Sequence, residues 1–339
     1  MNRLPIGLGV IGCGWAAGEI ARAAAHLPAL RIVAACDVDP GRARAFAEAN
    51  SARLAPDIDS LLADPDVSTA YIGLPHHLLA STVERALAAG KHVLAEKPLA
   101  LDADEARRLG RLAASQGLKL AVFFELRRSG TVTAAKRLLD AGRIGVPRLV
   151  RLRTLIDKRA DYWGPPGAPN WRASREQAGG GVLLMNTIHQ LDTLRYITGL
   201  DYVSATGDVA TFSAIADVED AGSATLRLSN GGLLNIVASA HSPGAIHDET
   251  IEIDGTLGRL DLPDPFGTSP LRLFDTGSRT WTDIAVDRPD SHLAMLESFV
   301  DAIHTGGPVP ASADDAAASI GAVKAIYRSS LERRTIEIV

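Results

Sequence analysis

The chain has 339 residues, 46% hydrophobic and 22% charged, and its 35 Lys plus Arg against 40 Asp plus Glu leave a net charge of −5. That length suggests about two domains, and the mild acidity lacks the basic field that non-specific nucleic-acid binding requires. An ordinary apolar content without long charge runs excludes disorder, and no run of about 18 apolar residues is present to span a bilayer.

In chain order, the first third alternates short apolar runs with amphipathic segments, the rhythm of βαβ units around a parallel sheet. Strands are expected at 6–11, 31–37, 69–74, 92–96 and 118–123. Helices are expected at 16–25, 41–49, 58–63, 77–89 and 102–115. Asp102 followed by Glu105 resembles a capping box, and Gly90 and Gly117 fall where helices should stop. Segment 6–25 is largely apolar, but Gly7, Gly9, Gly12, Gly14 and Gly18 interrupt it and Glu19 and Arg22 charge it, so it fails as a signal peptide. A cytoplasmic location is the expectation. Cys13 and Cys36 read as small buried thiols, and no CxxC or HxxxH spacing supports a metal.

Beyond residue 125 the rhythm changes. A helix is expected at 131–141, a half-solvated strand at 148–156, an irregular loop at 162–171 and a second helix at 186–198. Asn230-Gly231 and Asp254-Gly255 both signal type I′ hairpin turns. Helices at 291–305 and 314–328 and a strand at 335–339 close the chain. The whole reads as α/β: a doubly wound Rossmann-type parallel sheet over 1–125, followed over 126–339 by an α+β substrate and oligomerisation domain with a mostly antiparallel sheet.

Gly12-Cys13-Gly14-Trp15-Ala16-Ala17 follows the first strand and opens a helix. Gly12 permits the tight turn, Gly14 lets the backbone approach a pyrophosphate, and Ala17 lets the helix pack on the sheet. Free N–H groups at the helix start then suit phosphates. Asp37 ends the second strand about 20 residues on, where a carboxylate takes the ribose hydroxyls and disfavours a 2′-phosphate. This points to NAD, with Arg42 nearby to soften the preference and leave NADP open. Alternatively, Asp37 joins Asp39 in capping the next helix.

These motifs, with Tyr71-Ile72-Gly73-Leu74-Pro75, the run Gly90-Lys91-His92-Val93-Leu94-Ala95-Glu96-Lys97-Pro98, and Gly179-Gly180-Gly181 ahead of His189, resemble the Gfo/Idh/MocA oxidoreductases. Ala141-Gly142-Arg143-Ile144-Gly145 and the C-terminal helix pair extend the resemblance over nearly the whole chain. It implies hydride transfer between a nicotinamide and a carbinol or carbonyl of a sugar, cyclitol or related polyhydroxylated small molecule, in homodimers or homotetramers. From the charge and the lack of a long apolar run, no nucleic-acid or membrane partner is expected.

By that resemblance Lys97 handles the reacting proton and His189 assists, either polarising the hydroxyl or serving as an alternate base. Otherwise Lys97 pairs with Glu96 at the surface, and His189 is a helix residue satisfied by Asp192. Leu74, Pro75, His76, Glu96 and Pro98 are expected at the cofactor, with Lys97-Pro98 in a cis or turn conformation, and Trp171 beside them. Relatives carry a carboxylate four residues before the histidine, where this chain has Met185, so Asn186 is expected to bind a substrate hydroxyl. Arg127, Tyr162, Trp163 and Arg172 complete the substrate candidates. The two aromatics either stack on a sugar face or pack between sheet and loop, and Arg172 suits a carboxylate. Competing activities are imine or oxo-group reduction, NAD-dependent glycoside cleavage, and non-catalytic NAD binding.

Overall fold

The structure is a computed structural model that describes residues 5–158, 160–165, 170–244, 247–265 and 269–338. Contacts divide the chain into two compact units: everything up to Glu125 with Asp290–Ala317, and Leu126–Pro289 with the chain from Ala318 onward.

In the first unit, near-continuous apolar runs become strands covered on both faces. In order they are β1 (Ile6–Ile11), α1 (Trp15–Ala24), β2 (Leu30–Cys36), α2 (Pro40–Ala49), β3 (Arg53–Leu54), α3 (Ile58–Ala63), β4 (Thr69–Ile72), α4 (His76–Ala88), β5 (His92–Ala95), α5 (Ala103–Ser115) and β6 (Leu120–Val122). The six strands form one sheet in the order β3-β2-β1-β4-β5-β6, every pair parallel. β1 is wholly buried at its centre. Asp102 caps α5 by accepting from Asp104 N and Glu105 N, and Gly90 and Gly117 take positive φ just past their helices.

The second unit opens with a 3₁₀ turn (Glu125–Arg128) shared with the first and continues with α6 (Gly130–Asp140), β7 (Pro147–Leu155) and two short helices, α7 (Ala160–Trp163) and α8 (Arg175–Ala178). A π turn (Leu183–Thr187) then leads into α9 (Ile188–Thr198). Next come β8 (Tyr202–Ala210), β9 (Ala221–Leu228), β10 (Leu233–Ser239), β11 (Ile251–Gly255), β12 (Gly258–Leu262), β13 (Leu271–Asp275) and β14 (Thr280–Ile284). With the terminal β15 (Ile336–Glu337) they make a nine-stranded sheet, β14-β13-β12-β11-β7-β10-β9-β8-β15, antiparallel except between β7 and β10. Residues 166–169 of the expected irregular loop lie outside the described residues.

After Pro289 the chain returns to the first unit. α10 (Ser291–Thr305) starts beside α1, where Arg22 pairs with Asp290, and His292 packs on Phe123 with ring centroids 5.3 Å apart. Val122 N donates to Ala311 O at 3.0 Å. The last helix, α11 (Ala313–Glu332), contains the division between the units.

Both expected type I′ turns differ in detail. The β9–β10 hairpin exists, but Gly231 N bonds Leu228 O and Gly231 alone takes positive φ (+85°), the pattern of a three-residue loop with a glycine bulge. Asp254 and Gly255 are not a turn at all: they lie in β11, and Thr256-Leu257 makes the connection to β12. Gly255 is there for close packing, since a Cβ on it would lie 2.0 Å from Ile144 O.

The helix expected from Asn186 begins earlier, at a fixed start. Cβ atoms on Gly180 and Gly181 would lie 2.1 Å from Tyr327 Oη and 1.7 Å from Glu219 O. The buried Glu219 carboxylate accepts from Gly181 N at 2.6 Å, Leu183 N at 3.0 Å and Tyr327 Oη at 2.7 Å. Burial pushes its carboxyl above the usual range, and those three donors oppose the rise. With donors on both oxygens, Glu219→Gln must turn an NH₂ toward an N–H or O–H. We expect it to lower stability by about 1–3 kcal/mol, read as a reduced urea midpoint; an unchanged midpoint would mean that the carboxylate does not hold this turn.

Candidate active site

Parallel strands end on one edge, so the first unit gathers its loops there. β1 ends at Ile11, and Gly12 turns with φ +86°, a conformation that glycine adopts without penalty. A Cβ at Gly12 would also lie 2.2 Å from Gly73 O. Cys13 N donates to Asp37 Oδ2 at 2.7 Å, which ties the turn to the end of β2. Gly14 is the N-cap of α1 and provides no side-chain cap, and a Cβ built on it meets nothing within 4 Å. The first amides of α1 therefore face open space that an anion can use. These residues fit a dinucleotide: pyrophosphate at Gly12–Ala16 and ribose at Asp37. Trp15, the first helical residue, is 81% exposed.

Asp37 does not cap the next helix. Asp39 does, accepting from Gly41 N and Arg42 N. The Asp37 side chain is almost wholly covered, and its Oδ2 lies 3.6 Å from Arg42 Nη1. Arg42 also reaches Asp39 at 3.4 Å, so its charge is already compensated by two carboxylates. Cys13 and Cys36 are buried thiols, each pushed up to about 12 mainly by burial.

Two strands away from β1, β5 delivers Glu96-Lys97-Pro98 to the same edge. Lys97-Pro98 is cis. Lys97 is partly buried, and its charge lowers the Glu96 carboxyl, which burial raises. Glu96 Oε1 accepts from Tyr71 Oη at 2.8 Å, and Tyr71 is fully buried. That bond was not legible in the sequence, although its trace is there: Gly73 leaves the ring its space, since a Cβ would come within 2.9 Å of it. Between these strands, Leu74 and Pro75 follow β4, Pro75 is the N-cap of α4, and His76 is buried as the first residue of that helix.

In the second unit the sequence candidates separate into groups. Arg127, expected at the substrate, is buried and held by Asp192, with Nε–Oδ2 2.8 Å and Nη2–Oδ1 2.6 Å. Its guanidinium also lies 4.9 Å from the centre of the Tyr196 ring. A bidentate pair in a dry interior is structural, so the substrate assignment for Arg127 is withdrawn. Trp163 is only 1% exposed and packs edge-on against Tyr162, which rules out stacking on a sugar.

Tyr162, Arg172, Met185 and Asn186 lie closer to what was expected. The π turn carries Met185 and Asn186, and α9 carries His189 in its first turn. Met185 Sδ accepts from Tyr162 Oη at 3.3 Å. Asn186 is partly exposed and makes no side-chain hydrogen bond among the described residues. His189 is partly buried on the same helix. Arg172 lies 4.6 Å from the Trp171 ring centre and 5.4 Å from that of Tyr162. Lys158, which sequence reasoning missed, places Nζ 4.4 Å from the Tyr162 ring centre. No cluster of three or more metal-ligating side chains exists among the described residues.

Comparison with known proteins matches residues 6–124 to the oxidoreductase family with an NAD-binding Rossmann fold and residues 132–261 to the GFO/IDH/MocA C-terminal domain. The 1,5-anhydro-D-fructose reductase of Ensifer adhaerens is 27% identical, covering 97% of this chain and 98% of its own. Inositol 2-dehydrogenase of Rhizobium meliloti (strain 1021) is 27% identical over 99% of this chain and 100% of its own. Levoglucosan dehydrogenase, solved with NADH and levoglucosan, shares the fold with a TM-score of 0.91 at 23% identity, over 98% of this chain and 99% of that one.

Two outcomes follow from this geometry. Asp192→Ala strands a buried guanidinium and should destabilise the protein by about 3–5 kcal/mol, while Arg127→Met with Asp192→Leu recovers most of that in urea unfolding. Asp37→Ala should weaken NADH binding more than NADPH binding in fluorescence titrations; equal losses would remove Asp37 from the ribose.

Proposed function

Since the chain belongs to the GFO/IDH/MocA oxidoreductase family and carries its NAD-binding Rossmann domain, we propose that it interconverts a carbinol and a carbonyl on a polyhydroxylated small molecule, a sugar or cyclitol, with Lys97 exchanging the proton. When bound, the nicotinamide supplies the hydride acceptor or donor. Hydride removal from a carbinol leaves an O–H proton that a base must take; Lys97, at the nucleotide-binding edge, takes it as the neutral amine and returns it as the ammonium in the reverse direction. His189 polarises the reacting oxygen, and Asn186 binds a neighbouring hydroxyl with its unengaged amide.

The observation that carries this reading is the placement of Lys97 directly after β5, on the edge where β1 presents the uncapped start of α1. Tyr71 Oη donates to the Glu96 carboxyl at 2.8 Å, which fixes the residue just before Lys97. The companion assignments, in which Trp171 lies near the cofactor and Tyr162 with Arg172 near the substrate, rest on the same family placement.

The test is Lys97→Ala assayed by nicotinamide absorbance over a panel of sugars, cyclitols and sugar acids. NADH binding should persist while turnover falls by about 10²–10⁴-fold. Unchanged turnover would take Lys97 out of the chemistry. Substrate consumed without net change in nicotinamide absorbance would instead favour glycoside cleavage through transient oxidation.

A further inference from the structure

We propose that Lys158 and Arg172, both gathered at the Tyr162 ring, form an anion-binding pair, so that the substrate carries a carboxylate or phosphate group. The inference deepens the reading above by naming the substrate's charge.

Lys158 follows β7 and Arg172 lies in the 3₁₀ turn Trp171–Ala173, so two different elements bring their cations to one ring. Lys158 Nζ is 4.4 Å and the Arg172 guanidinium carbon 5.4 Å from its centre. All three residues are partly buried. Two like charges in a partly dry place repel each other, and cation–π attraction offsets only part of that repulsion. Burial lowers the Lys158 pKa first of all, Glu249 opposes that, and the Arg172 charge lowers it further.

The charges around the pair leave room for an external anion. Neither Lys158 nor Arg172 makes an ion pair within 4 Å among the described residues. Glu249 acts on Lys158 from farther away and has His247 Nδ1 at 3.8 Å. The Tyr162 hydroxyl donates to the neutral Met185 thioether at 3.3 Å and is itself hydrogen-bonded by the Arg172 side chain, which leaves the other guanidinium N–H groups for a ligand. One acid at a distance does not balance two cations.

The donors also suit such a ligand. Arg172 backs its guanidinium face onto the Trp171 ring at 4.6 Å, and its backbone N–H is fixed by Asn170 Oδ1 at 2.9 Å. Stacking uses the faces of the plane, while the N–H donors radiate from its edge toward a carboxylate or phosphate. Lys158 adds a compact second charge. Asn186, next to Met185 in the π turn, then offers its amide to a hydroxyl of the same molecule.

Calorimetric titration of the NADH-loaded protein tests this with paired probes: D-galacturonate against D-galactose, and D-glucose 6-phosphate against D-glucose. At least one anionic member should bind ten times or more tighter than its neutral partner, and which one does separates carboxylate from phosphate. Lys158→Met and Arg172→Met should each erode that preference about tenfold, the scale of one charge-assisted contact. Equal binding of charged and neutral partners, binding of neither anion, or a preference untouched by both substitutions would overturn the proposal. Anions that bind without being oxidised or reduced would count against the dehydrogenase reading and leave this one standing. Turnover of neutral polyols with no anion preference would do the reverse.

Discussion

A parallel sheet must end all its strands on one edge, and the first unit depends on that constraint. The edge collects a glycine turn with positive φ, an uncapped helix start, a ribose-side carboxylate and a lysine from strands distant in sequence. Two hydrogen bonds then fix the parts against each other. Cys13 N to Asp37 couples the turn to β2, and Tyr71 Oη to Glu96 couples β4 to the end of β5. Neither bond is strong on the scale of folding, but each removes a freedom that a cofactor would otherwise have to restrict on binding.

Much of this was legible in the sequence because it is local. Apolar runs bounded by glycine and acidic caps marked the strands and helices of the first unit, and β1, α3 and α10 fall at their expected bounds. What failed was long-range. Asp254-Gly255 has the composition of a turn, but the approach of Ile144 O, more than a hundred residues earlier, makes the glycine a packing requirement. Arg127 looked available until α9 brought Asp192 against it. Glu219 and Lys158 carry no motif, and only the fold shows what they and the Tyr71 hydroxyl touch.

The same distinction explains why residues of one type take different roles in the second unit. Arg127 and Arg172 are both expected substrate contacts, and both meet an aromatic ring. Arg127 faces a buried carboxylate that takes its Nε and Nη2 donors as a bidentate pair. Arg172 has aromatic rings where Arg127 has its acid, and it spends a donor on the neutral Tyr162 hydroxyl rather than on a carboxylate. Burial separates them as well, since Arg127 is buried and Arg172 only partly so.

That contrast bears on how the π turn is built. Glu219 and Tyr327 hold its start through Gly181 and Leu183, while Met185 meets Tyr162 and Asn186 stays unengaged. The charged group that anchors the helix therefore lies behind it, where its three donors confine it. Among the described residues, the groups that meet the Tyr162 side chain include the neutral Met185 thioether and the cations Lys158 and Arg172. A carboxylate in place of Met185 would bring a negative charge to the same hydroxyl, whereas the thioether keeps the packing and omits the charge.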